Sequence, residues 1–193
     1  MQLLMPALIA GEEDVACLRR TVAGLPAGLS AVVQPLVQFA AESSARLDTL
    51  ALALPPESDS TLEPVLLGEP AGKWGTLRIG LAQGEPTGDW VAVCDADDTY
   101  DLAGLPAMLA RAAAGEALLF QGERAQIVID ATDLGRTRAL FELVVNELLR
   151  RRAVGWGLLL SPGVRDLQSG LLLVQRQLLE RFFALPRMDA FVP

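Results

Sequence analysis

Residues 90–94 are apolar without interruption, and the four that follow, Asp95, Ala96, Asp97 and Asp98, bring in three carboxylates at once. So short and continuous an apolar run marks a strand buried on both faces, as in a parallel sheet, and such a strand needs a helical layer above and below it. Its abrupt end in acid places the carboxyl end of that strand at a surface. In open α/β sheets, that is the end where ligands gather.

The rest of the chain supplies the layers. Residues 3–8 read as a strand broken by Pro6, and Gly11, Glu12, Glu13 and Asp14 read as the start of a helix running through Leu18, Val22 and Leu25, with its acids in the first turn. Residues 30–37 are a second apolar run, whose end Pro35 demotes to an edge or a bend, and residues 39–54 carry helical spacing. After a polar loop over 55–61 and a brief strand over 64–67, residues 72–81 read as a loop feeding a helix. A helix from Leu105 to Gly115 tolerates Pro106 in its first turn. Strands are expected over 117–121, 126–129 and 171–174, a two-faced helix with a basic end over 136–152, and a last helix over 177–183. This alternation predicts a mostly parallel central sheet with helices on both faces, an α/β fold of Rossmann-like type.

Composition then removes chemistry. The chain has no histidine, which excludes imidazole-based triads and His-ligated zinc. Cys17 and Cys94 are too few for a disulfide scaffold and lack zinc-site spacing, which fits a reducing compartment. With 16 Lys plus Arg against 24 Asp plus Glu, the net charge of -8 repels nucleic-acid phosphates, so no nucleic-acid partner is expected. No apolar run approaches the ~18 residues of a membrane span and no basic flank precedes residues 1–10, so the chain is read as cytosolic.

Acid–base or metal chemistry is thereby left to carboxylates. Asp95 and Asp97, one residue apart at a strand end, can face one hard divalent cation such as magnesium or manganese, which would bridge a substrate diphosphate and neutralise charge on a leaving nucleoside diphosphate. The bare triplet carries little weight: a chain with this many Asp yields about 0.7 such triplets by chance, and a solvated acidic loop with Asp101 capping the next helix explains it as well.

The surroundings of the triplet are more specific. Gly72 and Lys73, then Leu77 and Arg78, then Gly80 and Leu81 form a spaced segment; Gly88 and Asp89 precede the apolar run, and Tyr100 and Asp101 follow the acids. This block resembles the central signature of family 2 glycosyltransferases, which have the GT-A fold. At lower strength Pro6, Ala7 and Leu8 with Glu12 and Glu13 resemble the family's opening proline and Asn-Glu turn. Gly122, Glu123 and Arg124 resemble its Gly-Ser-Arg, and the run from Asp166 to Gly170 resembles its acceptor-side motif. Within the family the chain is most similar to the branch that moves a sugar onto polyprenyl phosphate, as in dolichol-phosphate mannose synthases.

The resemblance implies one GT-A-like domain over 1–193, with a nucleotide-sugar half over 1–100 and an acceptor half over 101–193. It implies transfer of a sugar from a nucleotide-diphosphate sugar to an acceptor such as polyprenyl phosphate, with Mg2+ or Mn2+ as cofactor. By it, Asp95 and Asp97 hold the metal and the sugar diphosphate, and Pro6, Glu12, Lys73 and Arg78 lie at the nucleotide. Arg124 and Arg138 bind the diphosphate or the acceptor phosphate, a task suited to a planar, permanently charged guanidinium. Asp166 either orients the acceptor or acts as general base; an anionic phosphate acceptor needs no base, and Asp166 is then structural. The 138–152 helix reads either as a peripheral contact with a membrane surface through Arg150, Arg151 and Arg152 or as a core-facing helix with cations at its C-terminus. Trp74 is read as a stacking surface or a packed edge. The family's second strand ends in an acidic pair, and the matching place here, Gln34, Pro35 and Leu36, has no carboxylate. A GT-A-like domain that has lost catalysis and serves as a binding or scaffolding module is the alternative.

Overall fold

In the computed structural model, which describes residues 1–41, 50–68, 72–83, 88–97, 100–122 and 169–184, the first apolar run forms an eight-residue strand, β1 (Gln2–Ile9), followed by α1 (Glu12–Ala23). Then come β2 (Val32–Phe39), β3 (Thr61–Leu62), β4 (Val65–Leu66), α2 (Gly72–Gln83) and β5 (Trp90–Val93). A single 3-10 turn (Leu102–Gly104) leads into α3 (Leu105–Ala113), and β6 (Leu119–Gln121), β7 (Leu172–Gln175) and α4 (Arg176–Phe183) complete the described elements. The chain divides into two compact units, Met1–Phe120 with Leu171–Pro193, and Gln121–Gly170. The architecture below is that of the first; of the second, residues 121–122 and 169–170 are described.

The strands join in the order β3-β2-β1-β5-β7-β6, with β4 also paired to β2. Strands β1 to β5 pair in parallel and β7 runs antiparallel to β5. The sheet is therefore mostly parallel, as its apolar runs predict. From β1 the chain crosses through α1 to β2 on one side, then returns through α2 to β5 on the other. The carboxyl ends of β1 and β5 thus flank the point where the strand order reverses.

Both prolines contradict the breaks expected of them. Pro6 and Pro35 lie inside continuous strands, paired with Leu36 and Met5. In a parallel strand each residue's N–H and C=O point to the same neighbour, so only half the positions need a donor on a given side. Val32 N–H donates to Met1 O (3.0 Å) and Ala40 N–H to Ile9 O (2.9 Å), whereas Cys94 N–H donates to Leu4 O (3.0 Å). Even positions of β1 therefore face β5, whose pairing stops at Leu4, and the donor Pro6 lacks would point past that stop. In β2 the odd positions face β3 and β4: Glu63 N–H donates to Val33 O (2.8 Å) and Leu67 N–H to Val37 O (2.9 Å). Pro35 faces residues 63–64, the break between those two short strands.

The apolar run 90–94 is buried from both sides. Ala92 and Cys94 join Leu3, Met5, Val33 and Leu173 under α1 and α3, through Leu18, Val22 and Leu105. Val91 and Val93 join Leu4, Leu36 and Val174 under α2 and α4, through Leu77 and Leu179. Each such leucine contributes roughly 1.5–3 kcal/mol of burial. Residues 72–81 are not a loop feeding a helix: α2 begins at Gly72 itself, because Thr76, Leu77 and Gly80 form a buried stripe against the sheet. Gly80 permits that approach; a Cβ there would stand 2.5 Å from Leu36 Cδ1.

The helix expected over 39–54 is corrected at its two ends only, since residues 42–49 lie outside the described residues. Phe39 completes β2, and residues 51–54 are irregular, with Ala51 at φ 45°. Asp101 caps the turn after the acids, its Oδ1 accepting from Ala103 N–H at 2.9 Å. The expected strand over 126–129 and helix over 136–152 lie outside the described residues.

Candidate active site

The acidic triplet begins where β5 leaves the sheet. Cys94 extends the ladder by one bond to Leu4 O, and its buried Sγ donates to Asp95 O (3.2 Å), so the backbone that carries Asp95 is fixed to the core. Burial, and then the charges of Asp95 and Asp97, push the Cys94 thiol up to about 12, with Lys73 opposing weakly. Both aspartate charges thus act on the same buried thiol. Asp97 is exposed, and the Asp95 side chain is about one-third exposed at 32%.

Lys73 meets Asp95 from α2. The crossover from β4 to β5 carries the chain up one strand and back down the helix, so the first turn of α2 stands at the carboxyl ends of the strands. From there Lys73 Nζ lies 2.5 Å from Asp95 Oδ1, with the two side chains 37% and 32% exposed. At that exposure the pair stabilises the fold by about 0–1 kcal/mol. Arg78 lies five residues further along α2, roughly 7.5 Å down the axis and about 140° around it from Lys73. The helix therefore presents one of its two cations, not both, to Asp95.

Across the switch point, the turn from β1 to α1 is closed by Asp14, whose Oδ2 accepts from Ala10 N–H and Gly11 N–H, each at 2.9 Å. The sequence placed Asp14 in the first turn without foreseeing that it would occupy these two donors, as a residue at the third helical position does when it reaches back to the cap. Glu12 is exposed at the start of α1, and Pro6 is half-buried within β1. Trp74 is a packed edge: its ring lies 5.7 Å from that of Phe182 and 6.4 Å from that of Phe183, at the end of α4. Arg124, Arg138 and Asp166, with Glu123 and Asp98, lie outside the described residues.

The place assigned to the missing acidic pair needs correction. Gln34 and Leu36 are buried mid-strand, and β2 ends at Phe39, followed by Ala40 and Ala41. Gln34 instead joins a polar chain: Gln2 Nε2 donates to Gln34 Oε1 (2.5 Å), and Gln2 Oε1 accepts from Arg176 Nη2 (2.5 Å). A cavity of about 370 Å³ bounded by Met1, Val32, Asp59 and Gly88 lies at the amino ends of the strands, away from Asp95.

Among the described residues no group of three or more Cys, Asp or Glu converges as a metal cage. Two carboxylates still fit magnesium or manganese, which commonly take one or two protein oxygens and complete their shell with water and substrate phosphates. Asp95 and Asp97 are donors of that kind. Among the described residues, no helix is long and apolar enough to cross a membrane.

No family model and no curated protein matches the chain. Among solved structures it is similar to the glucosyl-3-phosphoglycerate synthase of M. tuberculosis, with 17% identity and a TM-score of 0.53, over 92% of this chain and 58% of that one. A 4-diphosphocytidyl-2C-methyl-D-erythritol synthase from Anaerococcus prevotii matches at 10% identity and a TM-score of 0.45, over 98% of this chain and 80% of that one. This chain therefore spans a little over half the length of the first. The likeness to the first structure shows the fold alone: a mostly parallel, Rossmann-like α/β sheet of GT-A type.

Proposed function

We propose that the protein is a glycosyltransferase that takes a sugar from a nucleotide-diphosphate sugar, with the donor diphosphate at the carboxyl end of β5. The observation that carries this reading is the placement of Asp95 beside the strand-order switch point, fixed through Cys94 to the core and faced by Lys73. Asp95 and Asp97 would hold a magnesium or manganese ion, which supplies Lewis-acid stabilisation of the leaving diphosphate. The chain's own residues orient that diphosphate: Lys73 offers a positive charge from the first turn of α2, and the backbone beneath Asp95 keeps the carboxylate at the strand end. Pro6, Glu12 and Arg78 are assigned to the nucleotide side. Arg124 and Arg138 are assigned to phosphate binding and Asp166 to the acceptor, for which polyprenyl phosphate is the proposed identity.

Calorimetry with a panel of nucleoside diphosphates and Mn2+ tests the reading. One of the panel is expected to bind, and Asp95→Ala or Asp97→Ala should weaken that binding by roughly a hundredfold, as loss of a charged oxygen ligand would. Silence across the panel would overturn it.

Asp14 favours a second reading. Its carboxylate fills the two backbone donors at the end of β1 and adds negative charge at the turn, where an anionic donor would otherwise find them open, which supports a GT-A-like domain retained as a non-catalytic binding module. That reading expects wild type and the Asp95→Ala, Asp97→Ala double variant to be indistinguishable in the same titration.

A further inference from the structure

We infer that Lys73 is a resident counter-ion that a divalent cation must displace from Asp95, and that the displaced ammonium then pairs with the donor diphosphate. The inference rests on the glycosyltransferase reading and concerns the order and coupling of binding at that site. Three observations carry it. Lys73 Nζ lies 2.5 Å from Asp95 Oδ1, so an ammonium already neutralises the carboxylate a metal would need. An ammonium has no lone pair to ligate a metal and is repelled by it, so the two cations compete for Asp95. Both partners are only partly buried, at 37% and 32% exposure, which makes the contact weak enough to exchange.

The geometry also tells where the ammonium goes. The Lys73 backbone is held in α2 by Leu77 and Gly80 packing on the sheet, while the charge rides on a flexible four-carbon stem. A diphosphate bridging to a metal on Asp95 puts new anionic oxygens next to that stem. A metal arriving alone displaces Lys73 without compensation, whereas a metal arriving with the diphosphate leaves the ammonium a stronger partner than the one it lost. Metal and nucleotide should therefore bind with positive coupling, and by linkage each should raise the affinity of the other by the same factor. Lys73 is a substrate-binding residue in this account, and removing it should move two affinities in opposite directions.

The test uses the full chain and Mn2+, followed by the electron paramagnetic resonance of free Mn2+, first alone and then with saturating uridine or guanosine diphosphate. In Lys73→Met, Mn2+ alone should bind about two- to fivefold more tightly than in wild type, while nucleotide binding at saturating Mn2+ weakens about tenfold. Lys73→Gln should move both quantities the same way, and Lys73→Arg, which keeps a competing cation, should not tighten Mn2+ binding. An unchanged or weaker affinity for Mn2+ alone in both neutral variants overturns the exchange while leaving the glycosyltransferase reading intact. A wild-type chain that binds no nucleoside diphosphate with Mn2+ overturns both.

Discussion

Arg176 and Lys73 stand in the first turns of α4 and α2, on the same face of the sheet but at opposite ends of β5, and each reaches a residue flanking that strand. Arg176 is 8% exposed; its Nε donates to Gly88 O (3.0 Å), its Nη2 to Gln2 Oε1, and its backbone N–H to Asp89 O (2.8 Å). Gln2 passes the chain on to Gln34, and Gln34 Nε2 donates to Glu63 Oε2 at 3.4 Å. Lys73 makes one partly exposed contact with one carboxylate. A buried planar guanidinium that holds a buried acceptor on Gln2 and a part-buried one on Gly88 cannot leave without stranding them, whereas a solvated ammonium can. The amino end of the sheet is therefore fastened by its cation, and the carboxyl end keeps its cation exchangeable.

The largest expected effect concerns the floor beneath Lys73 and Asp95. Because its thiol is pushed up to about 12, Cys94 should react with iodoacetamide at pH 8 about a thousandfold more slowly than an ordinary thiol, while half-buried Cys17 reacts first. Labelling read by mass spectrometry checks this, and equal labelling of both would show that the carboxyl end is not sealed below. Above pH 9 the unfolded chain releases the Cys94 proton while the folded chain keeps it, so stability present below pH 9 is lost progressively up to about pH 12. Cys94→Ala should flatten that part of a pH series of denaturant melts.

Next comes Arg176→Ala. Stranding Gln2 Oε1 and Gly88 O should cost about 3 kcal/mol, a fall in Tm of roughly 6–12 °C for a chain of this size. Scanning calorimetry reads it, and a change within the error of the melt would abolish the contrast. Gly80→Ala, on the helix that carries Lys73, should destabilise by about 1 kcal/mol in urea melts: overpacking against Leu36 outweighs the gain in helix propensity. The smallest effect is that of Lys73→Ala, which should shift stability by less than about 0.5 kcal/mol in the same melts. A loss as large as that of Arg176→Ala would make Lys73 a fastener as well.

Much of the sheet was legible in the chain because burial on both faces writes itself as an unbroken apolar run, and residues 90–93 of that run became β5 for that reason. The helices with apolar stripes and acidic or proline-marked starts, α1 and α3, were legible on the same terms. Local rules failed where a distant partner decides the outcome. Pro6 and Pro35 read as breaks, but whether a missing donor matters depends on which neighbour that position faces and where the neighbour stops. Residues 72–81 read as a loop feeding a helix; the packing of Thr76, Leu77 and Gly80 against the sheet makes the whole segment helical from Gly72. At the candidate site, the sequence by itself determined that carboxylates crowd the end of a buried strand and that Lys73 precedes it at a fixed spacing. Only the tertiary structure decided that Lys73 rather than Arg78 meets Asp95, that Asp14 closes the turn at the end of β1, and that Arg176 belongs to the far end of the sheet. Order along the chain limits which residues can share an element, but reaching across elements is set by helix phase and strand register, which exist only once the layers have packed.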